Sequence, residues 1–323
     1  MSHRLQHTLE RPAEVSGIGF LTGAEVRLRF LPAPENFGLV FRRVDLPDAP
    51  LIPARLDFVV PRQRRTALAR GGAVVEMSEH VLAALAGLQI DNCLIEVDGP
   101  EPPGGDGSSL HCVRALLEAG IVEQSAPRSL LVLCRECRVT GERDGSEIAA
   151  GPVPRRTLVI TYELDYGPRA PIRPQWVTFE FSPELFVTNI AYARTFLLAE
   201  EAAALKAQGY GTKLTARDLL IFGPHGVLDN ELRAVDECAR HKILDCLGDF
   251  ALLGCDVHGH FRAYRSGHAL NHAICRQVAA VHREELEAMR LANGAGTPCS
   301  AAAVSRWETT ECRPSVSAAE RAA

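Results

Sequence analysis

One segment constrains the fold and chemistry of this chain more than any other: residues 240–250, Arg-His-Lys-Ile-Leu-Asp-Cys-Leu-Gly-Asp-Phe. Its apolar residues recur at helical spacing, which predicts an amphipathic helix with one face in a core. His241, Asp245 and Asp249 fall four apart on a neighbouring stripe, and four residues advance a helix by about 6 Å and nearly one turn. An imidazole and a carboxylate so placed can converge on one metal ion. The segment predicts a metal site, although solvated side chains or a local hydrogen bond would show the same pattern.

A second predicted helix carries an acid and a histidine in its first turn. Ser78 is suited to be its N-cap and Gly87 its end, with Glu79 and His80 directly after the cap. The helix dipole alone favours an acid at this position, so the pair taken by itself is a weaker indication than the first segment.

A third histidine, His268, follows a glycine where a strand is predicted to turn into a helix, an edge at which functional side chains are often exposed. If the helices that bear His80 and His241 face each other, these two residues and Asp245 supply three metal ligands and leave a position open for water. Glu79 and His268 then remain as unligated acid–base groups. Such a set is typical of a hydrolytic zinc centre, in which the metal lowers the pKa of bound water to about 7.

The order of the predicted elements describes an α+β protein. With 323 residues the chain is longer than a usual single core, which favours two domains. Each half begins with strands and continues with helix, strand and helix, so we expect two related units whose helical layers face each other. The predicted domains are residues 1–124 and 125–291, with a linker in 120–128. Residues 292–323 are rich in alanine, serine, threonine and proline and are predicted to be a disordered tail.

Several local patterns predict individual elements. Residues 25–30 alternate between charged and apolar side chains as in a half-buried strand, and residues 38–41 are the expected antiparallel partner. The glycine-rich segment 16–23 does not fit a dinucleotide fingerprint and is interpreted as a turn. Ser182 and Pro183 predict the start of a helix, as N-cap and first helical residue.

Composition limits the classes of function. The net charge is −5 and the basic residues are scattered, apart from Arg62, Arg64 and Arg65, so nucleic acid is not an expected partner. The N-terminus lacks the apolar core of a signal peptide, and no run approaches the length of a membrane span, so a cytoplasmic protein is expected. Ten cysteines, mostly within apolar segments, suit a reducing compartment. Cys134 and Cys137 form a C-x-x-C without a second pair, which is a weak indication of a metal or redox site.

Five short motifs occur together between about residues 10 and 290. They are Ser78-Glu79-His80 with 83–88 and 90–92, Pro100-Glu101 to Asp106-Gly107-Ser108, Ala193-Arg194-Thr195-Phe196, Arg240-His241-Lys242 to Asp249, and Ser266-Gly267-His268-Ala269-Leu270-Asn271. In this order and approximate spacing they resemble the UDP-3-O-acyl-N-acetylglucosamine deacetylases of lipid A biosynthesis. Each motif is short, but the combination is highly specific.

The resemblance implies a zinc-dependent N-deacetylase. His80, His241 and Asp245 match the family's zinc ligands, and Fe²⁺ is an alternative metal because affinity and availability decide occupancy. Glu79 matches the general base that activates water. The implied reaction removes the N-acetyl group from UDP-3-O-(3-hydroxyacyl)-N-acetylglucosamine, giving acetate and a free amine in an early committed step of lipid A biosynthesis.

The resemblance also implies roles for four residues that do not bind the metal. His268 matches the general acid that protonates the leaving glucosamine nitrogen, and Asp249 would hold His268 by a hydrogen bond and favour its charged form. Thr195 matches a hydroxyl donor to the developing oxyanion. Lys242 would add positive charge near that oxyanion or the substrate.

The implied fold is two β-α-α-β layered domains that enclose the zinc site, with an apolar channel for the acyl chain. The candidates for the channel are Phe186, Val187, Ile190, Phe196, Leu197 and Leu198, although a packed core would show the same pattern. The implied partner is the UDP-linked acylated N-acetylglucosamine. We expect a monomer with no membrane span, and at most transient proximity to a membrane.

Two positions depart from the family's pattern. Leu21 stands where a histidine is often found, and Asp218 stands where asparagine is common; both concern contacts to the nucleotide and sugar. Two other functions are considered: a zinc amidohydrolase that acts on another acylated amino sugar, and a catalytically silent homologue that binds the nucleotide-sugar lipid. The presence of Glu79, His268 and all three ligands argues against the silent homologue.

Overall fold

Strands and helices follow one another in both halves of the chain in the computed structural model, which describes residues 4–142 and 145–292. The helices of these ranges are α1 Glu79–Gly87, α2 Leu110–Ala119, α3 Pro183–Asn189, α4 Ala199–Ala207, α5 Glu237–Ala251, α6 His268–Val281 and α7 Arg283–Ala292. The strands up to α2 are β1 Leu5–Leu9, β2 Ala13–Ile18, β3 Glu25–Pro32, β4 Leu39–Arg43, β5 Leu51–Pro53, β6 Val59–Val60, β7 Ala67–Arg70, β8 Ala73–Val75 and β9 Cys93–Val97. The later strands are β10 Ile121–Pro127, β11 Leu130–Val132, β12 Cys137–Thr140, β13 Glu147–Gly151, β14 Leu158–Leu164, β15 Gln175–Glu180, β16 Phe196–Leu198, β17 Leu220–Gly223, β18 Gly226–Val227 and β19 Asp256–Tyr264. The predicted α+β class is confirmed.

The first large sheet has the strand order β2-β3-β9-β4-β5. β9 lies between β3 and β4, antiparallel to the former and parallel to the latter. The predicted pairing of residues 25–30 with 38–41 is therefore wrong. β9 is suited to the central position because all five of its residues are buried, and its Glu96 pairs with Arg29 of β3 and Arg42 of β4.

The second large sheet repeats this arrangement. Its path is β12-β13-β19-β14-β15, and β19 is antiparallel to β13 and parallel to β14. In both sheets the middle strand follows the central helix of its half: β9 follows α1, and β19 follows α5. Each middle strand is antiparallel to one neighbour and parallel to the other. This shared pairing pattern supports two structurally related units.

α1 and α5 pack directly against each other and join the two halves. Gly248 of α5 permits the close approach, because a Cβ atom at this position would lie 2.1 Å from the carbonyl oxygen of Glu79. The contact places the first turn of α1, with Glu79 and His80, beside the turn of α5 that carries Asp245.

The two predicted helix starts have different outcomes. α1 has the predicted bounds, but Ser78 does not cap it with its side chain; the Ser78 hydroxyl donates instead to the carbonyl oxygen of Thr66 at 3.2 Å. α3 begins as predicted. The Ser182 hydroxyl accepts a hydrogen bond from the amide of Leu185 at 3.2 Å, and a proline is the first helical residue.

The segments predicted as a linker, 120–128, and as a turn, 16–23, both contribute to strands. Residues 121–127 form β10, which pairs with β1, and residues 13–18 form β2. The proline that suggested a linker stands at the end of β10, where a strand tolerates it. The predicted boundary at residue 124 thus lies inside a strand, and the division into two domains stays a prediction.

The predicted tail lies almost entirely outside the described residues, which end at Ala292. Within the described ranges, no helix combines the length and apolar character that crossing a membrane requires. One large hydrophobic core contains residues from both halves of the chain, including Phe30 and Phe261.

Candidate metal centre and acid–base groups

Three side chains from two helices converge on one point. The Nε2 atoms of His80 on α1 and His241 on α5 each lie 3.5 Å from Oδ1 of Asp245, one turn further along α5. One potential ligand atom of each residue lies within 4.8 Å of the other two. Asp245 Oδ1 is buried and has no hydrogen-bond partner among the described residues. An orphaned carboxylate oxygen that faces two imidazole nitrogens fits a divalent cation, which would satisfy all three atoms.

The other polar atoms of these residues have partners that orient them. His241 Nδ1 donates to the carbonyl oxygen of Ala193 at 3.1 Å, which leaves the Nε2 lone pair for a metal. Asp245 Oδ2 accepts a hydrogen bond from the Lys242 ammonium group at 2.5 Å. Burial, only partly offset by the charge of Asp245, lowers the pKa of His241 to about 3. The imidazole is therefore neutral, which is the form that binds metals.

Glu79 is buried beside the three ligands without belonging to them. Its Oε2 accepts a hydrogen bond from the backbone amide of Thr66 at 3.1 Å, and its Oε1 lies 4.0 Å from Nε2 of His268. Burial raises the pKa of the Glu79 carboxyl, although the charges of His268 and His80 act in the opposite direction. A buried carboxyl with a raised pKa beside a cation site suits a general base.

His268, the first residue of α6, lies between Asp249 and the metal ligands. Its Nδ1 donates to Asp249 Oδ2 at 2.8 Å, and its Nε2 lies 3.8 Å from Asp245 Oδ2. Burial acts to lower the pKa of His268, but the charges of Asp249 and Asp245 outweigh it and raise the pKa to about 9. The ring is therefore held protonated, with Nε2–H available as an acid.

Thr195 lies next to His241, with its Oγ1 atom 3.3 Å from His241 Nε2. The amide and the hydroxyl of Thr195 both approach the carbonyl oxygen of Gly107, at 2.8 and 3.1 Å. Gly107 has a φ of 80°, and a Cβ atom there would lie 3.2 Å from the Thr195 nitrogen. Glycine thus allows the loop to pass close enough to place this hydroxyl. All eight residues selected from the sequence lie in this one region.

Three further residues bind Asp249; the sequence analysis did not select Thr66 or His272, and it included Asn271 in a motif without giving it a role. Thr66 Oγ1 donates to Asp249 Oδ1 at 2.5 Å, Asn271 Nδ2 donates to Oδ2 at 2.9 Å, and His272 Nε2 lies 3.2 Å from Oδ1. His272 follows His268 by four residues, and this helical spacing is a signal in the sequence. Nothing in the sequence around Thr66 distinguishes it.

A cavity of about 590 Å³ extends from Thr195 along α4 and the small β16-β17-β18 sheet. Its apolar lining includes Phe20, Leu21, Leu197, Ala202, Leu205 and Ile221. Of the six residues proposed for an acyl channel, Leu197 lines this cavity. The other five belong to the core or pack against it: Phe186, Val187, Ile190, Phe196 and Leu198. Those five residues therefore fit the packed-core alternative. Their spacing in the sequence does not distinguish a core from a channel wall.

Sequence features outside the motifs have ordinary structural positions. Leu21 lines the cavity, so its apolar side chain extends the apolar wall. Asp218 Oδ2 accepts hydrogen bonds from the amide and hydroxyl of Thr215, at 2.7 and 2.8 Å, and closes a local turn. Cys134 is exposed and Cys137 buried, and neither belongs to a metal-binding group of the described residues.

The arrangement combines a cation site, a buried carboxyl and a protonated imidazole. Glu79 Oε1 and His268 Nε2 lie 4.0 Å apart, and both belong to residues that are at most 6% exposed. A base and an acid beside one Lewis-acid site are the groups that hydrolysis of an acyl bond requires.

Comparison with known proteins identifies similar chains. Residues 6–280 match the family model described as UDP-3-O-acyl N-acetylglycosamine deacetylase. The UDP-3-O-acyl-N-acetylglucosamine deacetylase of Myxococcus xanthus is 37% identical over 296 residues, covering 88% of this chain and 93% of the relative. The proteins of the same name from Citrifermentans bemidjiense and Thermosynechococcus vestitus are 38% and 39% identical, each over 274 residues. Those alignments cover 84% and 85% of this chain and 88% and 94% of the relatives, respectively.

Proposed function

Because the chain belongs to the UDP-3-O-acyl N-acetylglycosamine deacetylase (LpxC) family, we propose that the site described above carries out the deacetylation for which the relatives are named. The chain is a hydrolase that removes the N-acetyl group from UDP-3-O-acyl-N-acetylglucosamine, the deacetylation step of lipid A biosynthesis. The observation that carries the assignment of the site is the buried, unpartnered Oδ1 of Asp245, which faces the Nε2 atoms of His80 and His241.

His80, His241 and Asp245 would hold one divalent cation, and we propose zinc. Two imidazoles and a carboxylate are a common ligand set of catalytic zinc. Fe²⁺ is the alternative, since the same nitrogen and oxygen ligands accept it. When bound, the metal supplies Lewis-acid chemistry, acidifying a water molecule and polarising the amide carbonyl.

Glu79 and His268 divide the proton transfers between them. As the water oxygen attacks the acetyl carbonyl carbon, Glu79 accepts a proton from the water. The bond between that carbon and the glucosamine nitrogen then breaks, and His268 donates its Nε2 proton to the nitrogen. The products are a free amine and acetic acid, which loses its proton to solvent as acetate. Positioned general acids and bases of this kind contribute rate factors of about 10² to 10⁴ each.

Thr195 and Lys242 are proposed to stabilise the charge that develops on the acetyl oxygen. The Thr195 hydroxyl lies beside His241 and can turn from Gly107 to the oxyanion. The Lys242 ammonium group donates a hydrogen bond to Asp245, so its positive charge lies next to one of the proposed metal ligands. Preorganised donors and charges in a buried site favour the transition state more than they would in water.

The cavity beside Thr195 is proposed to receive the acyl chain of the substrate. Its volume of about 590 Å³ falls in the range of pockets that enclose small ligands, and much of its wall is apolar. Arg64, Arg65 and Lys206 also line it beside Glu200 and Glu201, so its polar part has a small excess of positive charge, with Arg64 paired to Glu201. The substrate has the matching character, since it joins an apolar chain to an anionic nucleotide.

Three properties of the protein in the cell complete the proposal. We place the enzyme in the cytoplasm, because its buried free thiols, such as Cys93 and Cys112, suit a reducing compartment. We expect it to act as a monomer. Contact with a membrane, where an acylated substrate can partition, is expected to be transient. Light scattering and sedimentation with vesicles would test the last two points.

The deciding experiment is acetate release from a UDP-3-O-acyl-N-acetylglucosamine by protein of known metal content, before and after chelation and after zinc or iron is restored. Turnover that is lost with the metal and returns with zinc supports the assignment. If zinc-loaded protein leaves this substrate untouched but deacetylates another acylated amino sugar, the alternative amidohydrolase function is correct. If it binds the substrate and releases no acetate, the protein is the silent homologue.

A further inference from the structure

Thr66 touches both proton-transferring parts of the site, although no motif of the sequence includes it. It directly precedes β7 and is fully buried. Its backbone amide donates to Glu79, the general base, which belongs to the same half of the chain. Its hydroxyl donates to Asp249, which orients the general acid His268 in the other half. The residue therefore links Glu79 to Asp249 and to His268, which it approaches through Asp249 and also directly, with Thr66 Oγ1 3.3 Å from His268 Nδ1.

The backbone of Thr66 holds Glu79 at two points. Its amide donates to Glu79 Oε2 at 3.1 Å. Its carbonyl oxygen accepts hydrogen bonds from the amide and the hydroxyl of Ser78, at 3.1 and 3.2 Å, and Ser78 directly precedes Glu79. Both the carboxylate of the base and the chain that carries it are thus fixed to one residue.

The hydroxyl of Thr66 completes the binding of Asp249. A carboxylate only accepts hydrogen bonds, so the Thr66 hydroxyl donates to Asp249 Oδ1, at 2.5 Å. The hydroxyl oxygen can in turn accept from His272 Nε2, which lies 2.9 Å away. The other carboxylate oxygen, Oδ2, accepts from His268 Nδ1 at 2.8 Å and Asn271 Nδ2 at 2.9 Å. Each carboxylate oxygen is occupied, and the plane of the carboxylate is fixed from two sides.

We propose that Thr66 is a positioning residue that sets the separation of the general base and the general acid, by holding Glu79 with its amide and Asp249 with its hydroxyl. The inference rests on the proposed function of these two groups. Glu79 Oε1 and His268 Nε2 lie 4.0 Å apart, although they come from different halves of the chain. Thr66 belongs to the first half of the chain and binds Asp249 of the second, so it fixes this separation across the boundary between the halves.

The chemistry explains why this separation matters. The base acts at the attacking water and the acid acts at the leaving nitrogen, so the two groups must serve two atoms bonded to one carbon. A displacement of about 1 Å in a group that positions reacting atoms can cost about 100-fold in rate. Without the Thr66 hydroxyl, the contact left to Asp249 Oδ1 among the described residues is the longer one to His272, at 3.2 Å, and His268 can turn with the carboxylate.

Three variants isolate the hydroxyl. Thr66→Val replaces it by a methyl group of similar size and keeps the backbone amide that binds Glu79. Thr66→Ser keeps the hydroxyl and removes the methyl group. Thr8→Val is the matched control, because the Thr8 hydroxyl is also buried and hydrogen-bonded, donating to the carbonyl oxygen of Asn92 at 2.8 Å in another part of the fold.

The measurements are kcat and KM for deacetylation, bound metal and thermal melting of each zinc-loaded variant. We expect Thr66→Val to lower kcat by about 10- to 100-fold with little change in KM or metal content, Thr66→Ser to restore most of kcat, and Thr8→Val to lower only the melting temperature. If Thr66→Val does not fold, Thr66→Ala is compared with Thr66→Ser in the same way.

A folded hydroxyl-free variant with kcat within about two-fold of the unmodified enzyme would overturn the proposal. Loss of a residue that orients a group of the active site normally has a larger effect on activity. A Thr66→Ser variant as impaired as Thr66→Val would also overturn it, since packing rather than the hydroxyl would then be responsible. Absence of acetate release by the unmodified, zinc-loaded enzyme refutes the proposed function instead, and the inference falls with it.

Discussion

Gly248 of α5 lies so close to the Glu79 carbonyl of α1 that a Cβ atom on Gly248 would come within 2.1 Å of that oxygen. The contact is backbone to backbone, so a side chain at position 248 has no flexible neighbour to displace. Because α1 carries Glu79 and His80 while α5 carries Asp245, the separation of these helices determines whether the metal ligands meet.

Gly248→Ala is therefore expected to affect both stability and metal binding. Overpacking of this kind typically costs about 1–3 kcal/mol, and the displaced α1 would carry His80 away from Asp245. Calorimetry and zinc titration measure the two effects. Gly17→Ala is the control, since its added Cβ meets Pro103 at an ordinary 3.4 Å. Zinc affinity that is unchanged in Gly248→Ala would mean that α1 is not held by this contact.

Glu79→Gln is expected to keep the metal and to lose turnover by a factor of about 10² to 10⁴, since the amide cannot accept the proton of water. Metal analysis and acetate release are measured on the same sample. Glu118→Gln, an exposed acid on α2, should leave both unchanged. Loss of zinc from Glu79→Gln would show that Glu79 is a ligand and not the base.

Asp245→Ala is expected to weaken metal binding, whereas Glu79→Gln is expected to keep the metal and lose turnover. The variant removes the carboxylate that faces His80 and His241, so zinc competition assays should show affinity weakened by at least about ten-fold. Glu79→Gln, with its metal retained, is the matched comparison. Normal affinity in Asp245→Ala would refute the proposed ligand set.

The pH dependence of kcat/KM is expected to report the Asp249–His268 pair. An acid is active only while protonated, so its contribution is lost as the pH rises through its pKa, which is raised to about 9 for His268. Asp249→Asn removes the main charge that opposes burial, so the pKa falls and the basic limb of the profile should move to lower pH. A basic limb that stays in place would assign it to another group.

The cavity predicts a specific effect of a large side chain on α4. Ala202 lines the cavity, whereas the neighbouring Ala203 does not. Ala202→Trp should raise KM for a substrate with a long acyl chain much more than for one with a short chain, because only the long chain reaches the filled space. Ala203→Trp is the control and should leave both values unchanged. Equal effects of the two variants would place the acyl chain elsewhere.

The sequence alone determined those features that depend on neighbours along the chain. The spacing of His241, Asp245 and Asp249 specifies one stripe of a helix wherever that helix packs, and Ser182 with the following proline begins α3 as predicted. The α+β class and the repeated order of elements follow from the same local periodicities. The motifs also pointed to all eight site residues, although their roles stay predictions.

Only the tertiary structure decided which distant segments meet. Local alternation predicts that residues 25–30 form a strand, but not that β9 lies between β3 and β4, since pairing depends on burial over the whole sheet. The crossing of α1 and α5 depends on Gly248, and Thr66 reaches Asp249 across 183 positions of the chain. Apolar spacing does not separate Leu197, in the cavity wall, from Phe186 in the core. The periodicity of apolar residues predicts that a side chain is buried, but only the packed fold determines which residues bury it.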